Sequence, residues 1–179
     1  MARVWTSPSE LTNPEVCLLQ QLVSTLTGKH GDDVELFLDM HASVSSIGSH
    51  MQGKRFEDVF RMERHLLLPK LLAKVAADYR PQDCVYASEP LRPGTALRVV
   101  GSMLSESANC YVLCHSLHGF QQKTGFQSKL VPYTEERYTK AGQDLAFAVA
   151  HCYVMTGHVA LTAELLPFFK APANAKPSQ

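Results

Sequence analysis

Two apolar segments of strand length, each ending in residues that can do chemistry, constrain this chain more than any other feature. The first covers residues 34–40 and leads into His41, and the second covers residues 109–117 and contains Cys114. Apolar runs without alternation are typical of strands that helices cover on both faces. Ligands and catalytic groups collect at the carboxyl ends of such strands. The two segments therefore predict an α/β layer fold with a largely buried sheet and a candidate site near His41 and Cys114.

Helices are predicted before, between and after these strands. Residues 12–15 have the T-x-x-E form of a capping box, and the apolar spacing that follows predicts a helix ending at Gly28. A long helical pattern covers residues 56–79, with Pro69 inside it as a predicted kink. Thr134 precedes two glutamates and is expected to cap a last helix.

The remaining segments predict two further strands and two loops. Apolar runs at residues 84–87 and 97–104 are interpreted as strands, and the polar stretches 42–53 and 119–129 as loops. A chain of 179 residues, 45% of them hydrophobic, can bury one core, so one domain is expected over 1–168, followed by a flexible tail at 169–179.

Charge and cysteine usage exclude several classes of function. Seventeen basic residues balance seventeen acidic ones, which gives no basis for bulk electrostatic binding to nucleic acid or to an anionic membrane. No apolar run approaches the roughly 20 residues that a membrane-spanning helix needs. The five cysteines are an odd number and include no C-x-x-C pair, so a reducing compartment is expected rather than a secreted disulfide framework.

The densest set of metal-ligating side chains is Cys110, Cys114, His115 and His118. In a strand, residues four apart are separated by about 13 Å, and neighbours point to opposite faces. One metal ion cannot bind such a set, so we interpret Cys110 and Cys114 as ordinary buried cysteines rather than as part of a self-contained zinc site.

His41 is a stronger candidate because it follows a buried strand that contains Asp39. A histidine there is a metal ligand, a base, or a structural residue whose hydrogen bonds are satisfied within the fold. The chain contains neither H-x-x-E nor H-x-x-x-H, so a complete metal site would need ligands from elsewhere.

Several segments in a fixed order carry a family resemblance. They are the R-V-W-T-S-P-S stretch that begins at Arg3, F-L-D-M-H over 37–41, the helix over 64–79, G-T at 94–95, the strand 109–120 and V-P-Y-T-E-E over 131–136. The set resembles the second half of the catalytic domain of the cytosolic carboxypeptidases. These are M14-type zinc metallopeptidases that remove glutamates from tubulin and other proteins.

The resemblance implies part of a mixed-sheet zinc-carboxypeptidase-like fold with flanking helices, its N-terminal strands missing. His41 falls on the family's third zinc ligand, and the other two, an H-x-x-E pair, do not occur in the chain. Arg3 matches an arginine that binds the substrate carboxylate, but Ala2 replaces the asparagine before it. The catalytic glutamate, which acts as general base, falls on Cys114.

These departures predict a catalytically inactive carboxypeptidase-like domain that serves as a binding or structural subunit of a larger assembly. No cofactor is expected, and zinc only if a partner chain completes the site. The alternative is half of a split zinc metallocarboxypeptidase whose H-x-x-E ligands come from another chain, and a third reading is new chemistry by a Cys114–His41 pair. A protein partner covering the exposed sheet edge is expected. The family suggests tubulin, a flagellar axoneme or another large assembly, in a cytoplasmic or cytoskeletal location.

Overall fold

A computed structural model of the chain describes residues 4–30, 34–87, 94–124 and 127–162. Arg3, Ala2 and the predicted tail at 169–179 lie outside these ranges. The elements in chain order are α1 (Pro14–His30), β1 (Leu36–Ser43), β2 (Ser49–Lys54), α2 (Val59–Val75), a 3-10 turn (Pro81–Asp83), β3 (Val85–Ala87), α3 (Ala96–Met103), β4 (Asn109–Ser116), β5 (Gly119–Thr124), β6 (Gln127–Pro132) and α4 (Glu135–Met155).

Four of the strands form a mixed sheet in the order β1-β4-β2-β3. Strand β4 pairs in parallel with β1 and antiparallel with β2, and β2 pairs in parallel with β3. Strands β5 and β6 form a separate antiparallel hairpin. The predicted α/β fold with a mixed sheet and flanking helices is confirmed.

Helices cover both faces of the sheet. On one face Met51, Tyr111 and Leu113 pack against the buried sides of α2 and α4. On the other face Cys110, Val112 and Cys114 pack against Leu97 of α3. Because alternate residues of β4 point to opposite faces, an apolar run without alternation is what a strand covered on both faces requires.

Two helices begin at residues whose side chains cap them. The Thr134 hydroxyl accepts a hydrogen bond from the backbone N–H of Arg137 at 3.4 Å, as the sequence predicts for the start of α4. Asp58 caps α2 in the same way, accepting from the backbone N–H of Arg61 at 2.6 Å. Pro69 lies buried within α2, and α1 continues past Gly28.

Three sequence predictions are wrong. Residues 97–104, expected as a strand, lie largely within α3, where Leu97 and Val100 are buried at helical spacing. A short apolar run does not by itself distinguish a strand from a buried helix. Residues 42–53 are not a loop throughout, because β1 continues to Ser43 and β2 begins at Ser49. Residues 119–129 belong mostly to the β5–β6 hairpin, where backbone pairing overrides a polar composition.

No helix within the described residues is both long and apolar enough to cross a membrane.

Candidate functional site

The sheet register places His41 and Cys114 side by side. They are partners on the parallel strands β1 and β4, and His50 is the partner of Cys114 on the antiparallel strand β2. Partners in register project from the same face of a sheet, with neighbouring strands about 5 Å apart. The structure thus forms a row of His41, Cys114 and His50 across three strands.

His41 is held by a carboxylate from its own strand. Its Nε2 lies 2.8 Å from Oδ2 of Asp39, and the two side chains are 36% and 21% exposed. Residues two apart on a strand share a face, so the D-x-H spacing alone could have indicated this pair. The contact fixes the orientation of the imidazole and leaves its other nitrogen, Nδ1, for a further partner.

Cys114 packs in a small buried cluster with Leu97, Cys110 and Val112. The Nε2 of Gln52 is 3.7 Å from its Sγ, and the residue is only 9% exposed. Burial raises the pKa of the Cys114 thiol, and the negative charge of Asp39 raises it further. The thiol is therefore neutral at physiological pH, and its position beside His41 does not by itself make it a nucleophile.

His50 is the member of the row that sequence analysis did not single out. Burial lowers the pKa of its imidazole, with Asp83 opposing the shift and Arg80 adding to it. Its Nδ1 is buried and has no hydrogen-bond partner among the described residues. Only the pairing of β2 with β4 brings this side chain to the row, and the sequence carries no signal for that pairing.

The set of cysteines and histidines at residues 110–118 does not converge on one point. The thiol of Cys110 is 3.8 Å from the carbonyl oxygen of Leu97, and Nε2 of His118 is 2.9 Å from the carbonyl oxygen of Val44. His115 points to the opposite face of the sheet from Cys114. Cys110 and Cys114 are both buried, as expected for ordinary buried cysteines.

Beneath the opposite face, His115 belongs to a buried network around Asp78. Oδ2 of Asp78 accepts hydrogen bonds from the hydroxyls of Ser49, at 3.1 Å, and Tyr133. Nε2 of His115 lies 3.2 Å from the same oxygen. Burial acts to raise the pKa of Asp78, but the contacts with His115 and Tyr133 outweigh it and the pKa is lowered.

The family that the sequence resembles consists of zinc metallopeptidases. Catalytic zinc takes three protein ligands and a water. No group of three histidine, cysteine, aspartate or glutamate side chains within the described ranges could hold a metal ion. These residues alone do not fit a zinc site.

No protein-family model matches the chain. Mouse cytosolic carboxypeptidase 6 is 30% identical to it over 165 residues, which are 92% of this chain. The human protein of the same name is 30% identical over 144 residues, or 80% of this chain. The chain is related to the cytosolic carboxypeptidases. The nematode Caenorhabditis elegans has a cytosolic carboxypeptidase 6 that is 22% identical to this carboxypeptidase-like chain over 157 residues.

Solved structures place the fold of this carboxypeptidase-like chain among the metallo-carboxypeptidases. The enzyme from Pseudomonas aeruginosa, solved in complex with (2-guanidinoethylmercapto)succinic acid, superposes with a TM-score of 0.59 at 18% identity, over 87% of this chain and 39% of that one. The enzyme from Burkholderia cenocepacia superposes with a TM-score of 0.58 at 12% identity, over 87% of this chain and 38% of that one. The chain spans about 30% of the mouse relative and 28% of the human one.

Proposed function

We propose that this chain is a catalytically inactive carboxypeptidase-like domain that serves as a binding or structural part of a larger assembly. The observation that carries the proposal is the side chain of Cys114, a buried neutral thiol in the position that the family resemblance assigns to the general-base glutamate. A glutamate carboxylate has an ordinary pKa of about 4.3 and is charged at neutral pH, whereas an ordinary thiol has about 8.5. The cysteine side chain is also shorter, so it supplies neither the charge nor the reach of that base.

Two further positions of the family pattern, His41 and Leu97, support the same proposal. His41 is one ligand where catalytic zinc takes three, and the described residues supply no set of three ligands that includes it. Arg3, proposed as a vestigial substrate-binding residue, lies outside the described residues. Leu97, which falls on a second arginine of the family pattern, is a buried residue of α3.

The edge of the sheet supports a binding role. Strand β1 is paired on one side, with β4, within the described residues. Its residues form an apolar run of the kind found in central strands, yet none is fully buried and Met40 is 60% exposed. An unpaired apolar strand edge is a template for pairing with another chain. Helix α1 adds an exposed apolar surface nearby in sequence, made of Leu18, Leu19, Leu22 and Leu26.

The relatives' name supports a cytosolic location for the assembly. A tubulin-containing or other cytoskeletal partner is proposed from the family resemblance, and a flagellar axoneme has no support from the relatives. The neutral charge balance adds no reason to propose nucleic acid or an anionic membrane surface as the partner.

A second candidate is half of a split zinc metallocarboxypeptidase, with an H-x-x-E pair supplied by another chain. The Asp39–His41 contact favours it, because metal-binding histidines usually hold a carboxylate with one ring nitrogen and the metal with the other. Elemental analysis after dialysis separates the two proposals. One zinc per chain in the native complex, lost in a His41→Ala variant, would support the split enzyme.

Activity on a polyglutamylated peptide with added zinc tests the leading proposal. The chain, purified from its native source with whatever accompanies it, should release no more glutamate than a metal-stripped control, and Cys114→Ala should give the same result. Glutamate release above the control would overturn the proposal of inactivity. The same preparation should elute in size-exclusion chromatography as a species larger than one chain. Elution as a lone monomer would contradict the binding or structural role.

A further inference from the structure

A cavity between α3 and the sheet lies apart from the row of His41, Cys114 and His50. Its volume is about 240 Å³. The floor is formed by the buried residues Leu97, Leu104, Ala108 and Cys110. Cys110 is four residues before Cys114 on β4, which corresponds to about 13 Å along the strand.

The floor carries no charge. Burial raises the pKa of Cys110 to about 12, and the charge of Asp39 contributes to the rise. Its thiol contacts the carbonyl oxygen of Leu97 at 3.8 Å and stays protonated at physiological pH. The ring of Phe56 adds a further apolar wall.

The mouth of the cavity is basic. Lys54, at the end of β2, and Arg98, near the start of α3, both line the cavity and are exposed. Neither forms an ion pair with any residue that the structure describes, and Nζ of Lys54 lies 5.2 Å from the centre of the Phe56 ring. Glu106 is the one acid among the described lining residues. The two cations and the one carboxylate together give the lining a net charge of +1, which a single bound anion would neutralise.

We propose that this cavity binds a small apolar monocarboxylate, with its apolar body on the floor and its carboxylate between Lys54 and Arg98. A dry apolar cavity of about 150 Å³ holds a benzene molecule. The cavity described above is larger, and it has room for a phenyl ring with a short acidic chain. Binding pockets generally combine such an apolar lining with a few polar groups that orient the ligand. The proposal does not rest on the function proposed above.

The space itself can be tested at Gly101, which lies in α3 over the floor. A β-carbon at this position would lie 3.6 Å from Sγ of Cys110, at ordinary contact distance. A leucine side chain there would extend into the cavity that Gly101 lines. Gly142 in α4 is a matched control, because a β-carbon there meets nothing within 4 Å.

Ligand-observed saturation-transfer NMR with 3-phenylpropionate measures binding to the full chain, whether it is monomeric or assembled. We expect the acid to bind at least about ten-fold more tightly than 3-phenylpropan-1-ol, since a charge-assisted contact adds to the apolar burial. Gly101→Leu should abolish binding, and Gly142→Leu should not. Arg98→Ala should weaken binding about ten-fold, and Lys74→Ala, a change of an exposed cation on α2, should leave it unchanged.

Three results would overturn the proposal. Equal affinity for the acid and the alcohol would show that the cations play no part. Unchanged binding in Gly101→Leu would place the ligand elsewhere, provided that a thermal melt shows the variant to be folded. Loss of binding in His41→Ala would place the ligand at the row of His41, Cys114 and His50. If the Gly101→Leu variant does not fold, the comparison of Arg98→Ala with Lys74→Ala tests the proposal by itself. Equal binding of the acid to these two variants would then overturn it.

Discussion

His65 has no exposed surface, and its ring stacks on Tyr111 with centroids 4.3 Å apart. Its Nδ1 lies 3.1 Å from Oδ1 of Asn109, while Nε2 is buried with no partner among the described residues. A β-carbon added at Gly53 would come within 2.6 Å of that Nε2, so glycine is needed where β2 passes the ring. Burial is the main cause that lowers the pKa of His65 to about 4, with Arg61 and Lys54 acting in the same direction.

The depressed pKa of His65 makes stability depend on pH. His65 in the unfolded chain binds a proton below about pH 6.5, but His65 in the folded chain does so only below about pH 4. The contribution of this histidine to the free energy of unfolding is therefore complete above pH 6.5 and is lost as the pH falls from 6.5 to 4. Between pH 7.5 and pH 5 we expect a loss of about 2 kcal/mol from this group in urea unfolding. His65→Phe should remove that part of the pH dependence, and the control His118→Gln should retain it. An unchanged pH profile in His65→Phe would contradict the assignment.

Cys114 is expected to react slowly with alkylating agents. Its pKa is raised by burial and by Asp39, and the thiolate is the reactive form. With iodoacetamide at neutral pH, mass spectrometry should show that Cys114 is modified more slowly than the half-buried Cys17. The rate of Cys114 modification should be the same in a His41→Ala variant as in the unsubstituted chain. Selective modification of Cys114 that disappears in His41→Ala would instead establish an activated Cys–His pair.

At the scale of elements, the network around Asp78 joins parts of the fold that are distant in sequence. Asp78 follows α2, Ser49 begins β2, His115 lies in β4, and Tyr133 follows the β5–β6 hairpin. The rings of Tyr133 and Tyr138 stack with centroids 4.7 Å apart, which extends the contact to α4. One buried carboxylate thus links the segment after the hairpin to the main sheet, in addition to the backbone hydrogen bond that Gly48 N–H donates to the carbonyl oxygen of Gly119 at 2.7 Å.

Removing the Tyr133 hydroxyl should weaken this attachment. Tyr133→Phe leaves the buried Asp78 carboxylate with one hydrogen-bond donor fewer, and hydrogen bonds to charged groups contribute about 1.5–3 kcal/mol. We expect a loss of this size in the free energy of unfolding measured with urea. Tyr153→Phe, at a partly exposed ring on α4, should change stability by less than about 0.5 kcal/mol. Equal effects of the two changes would argue against the network.

At the scale of the whole molecule, the described sheet ends at an apolar strand on the β1 side. The chain spans roughly a third of its relatives, and the metallo-carboxypeptidases that it superposes on are more than twice as long as the matched part. Strand β1 and the leucines of α1 both expose apolar side chains, among them Met40, Leu18 and Leu22. An apolar edge of this kind favours association.

The isolated chain is therefore expected to be oligomeric or poorly soluble. Met40→Lys puts a charge on the edge strand and should shift the chain toward monomer in size-exclusion chromatography with light scattering. Met155→Lys is the matched control, since this methionine is 58% exposed on α4 against 60% for Met40 on β1. A monodisperse monomer that unfolds cooperatively without any substitution would show instead that the fold is self-sufficient.

Prediction from sequence succeeded where a local pattern of residues is compatible with only one kind of secondary structure or motif. The strand over 109–117, the helix that Thr134 caps and the family relationship all have local signals, namely an apolar run, a capping residue and an ordered set of motifs. It failed at residues 97–104, because eight apolar-rich residues suit a strand or a helix equally. It failed again at 119–129, because a polar two-stranded hairpin depends on backbone pairing and not on side-chain hydrophobicity.

The sequence by itself determined the layered α/β class, the buried strands and the residue types available at the candidate site, because these depend on composition and on periodicity along the chain. Only the tertiary structure decided which of those residues meet. The row of His41, Cys114 and His50 depends on the register of three strands, and the attachment of Asp78 to Tyr133 joins residues 55 positions apart. Packing between segments that are distant in sequence selects such pairings. These contacts produce no periodic pattern of residues along the chain, so they cannot be predicted from local sequence.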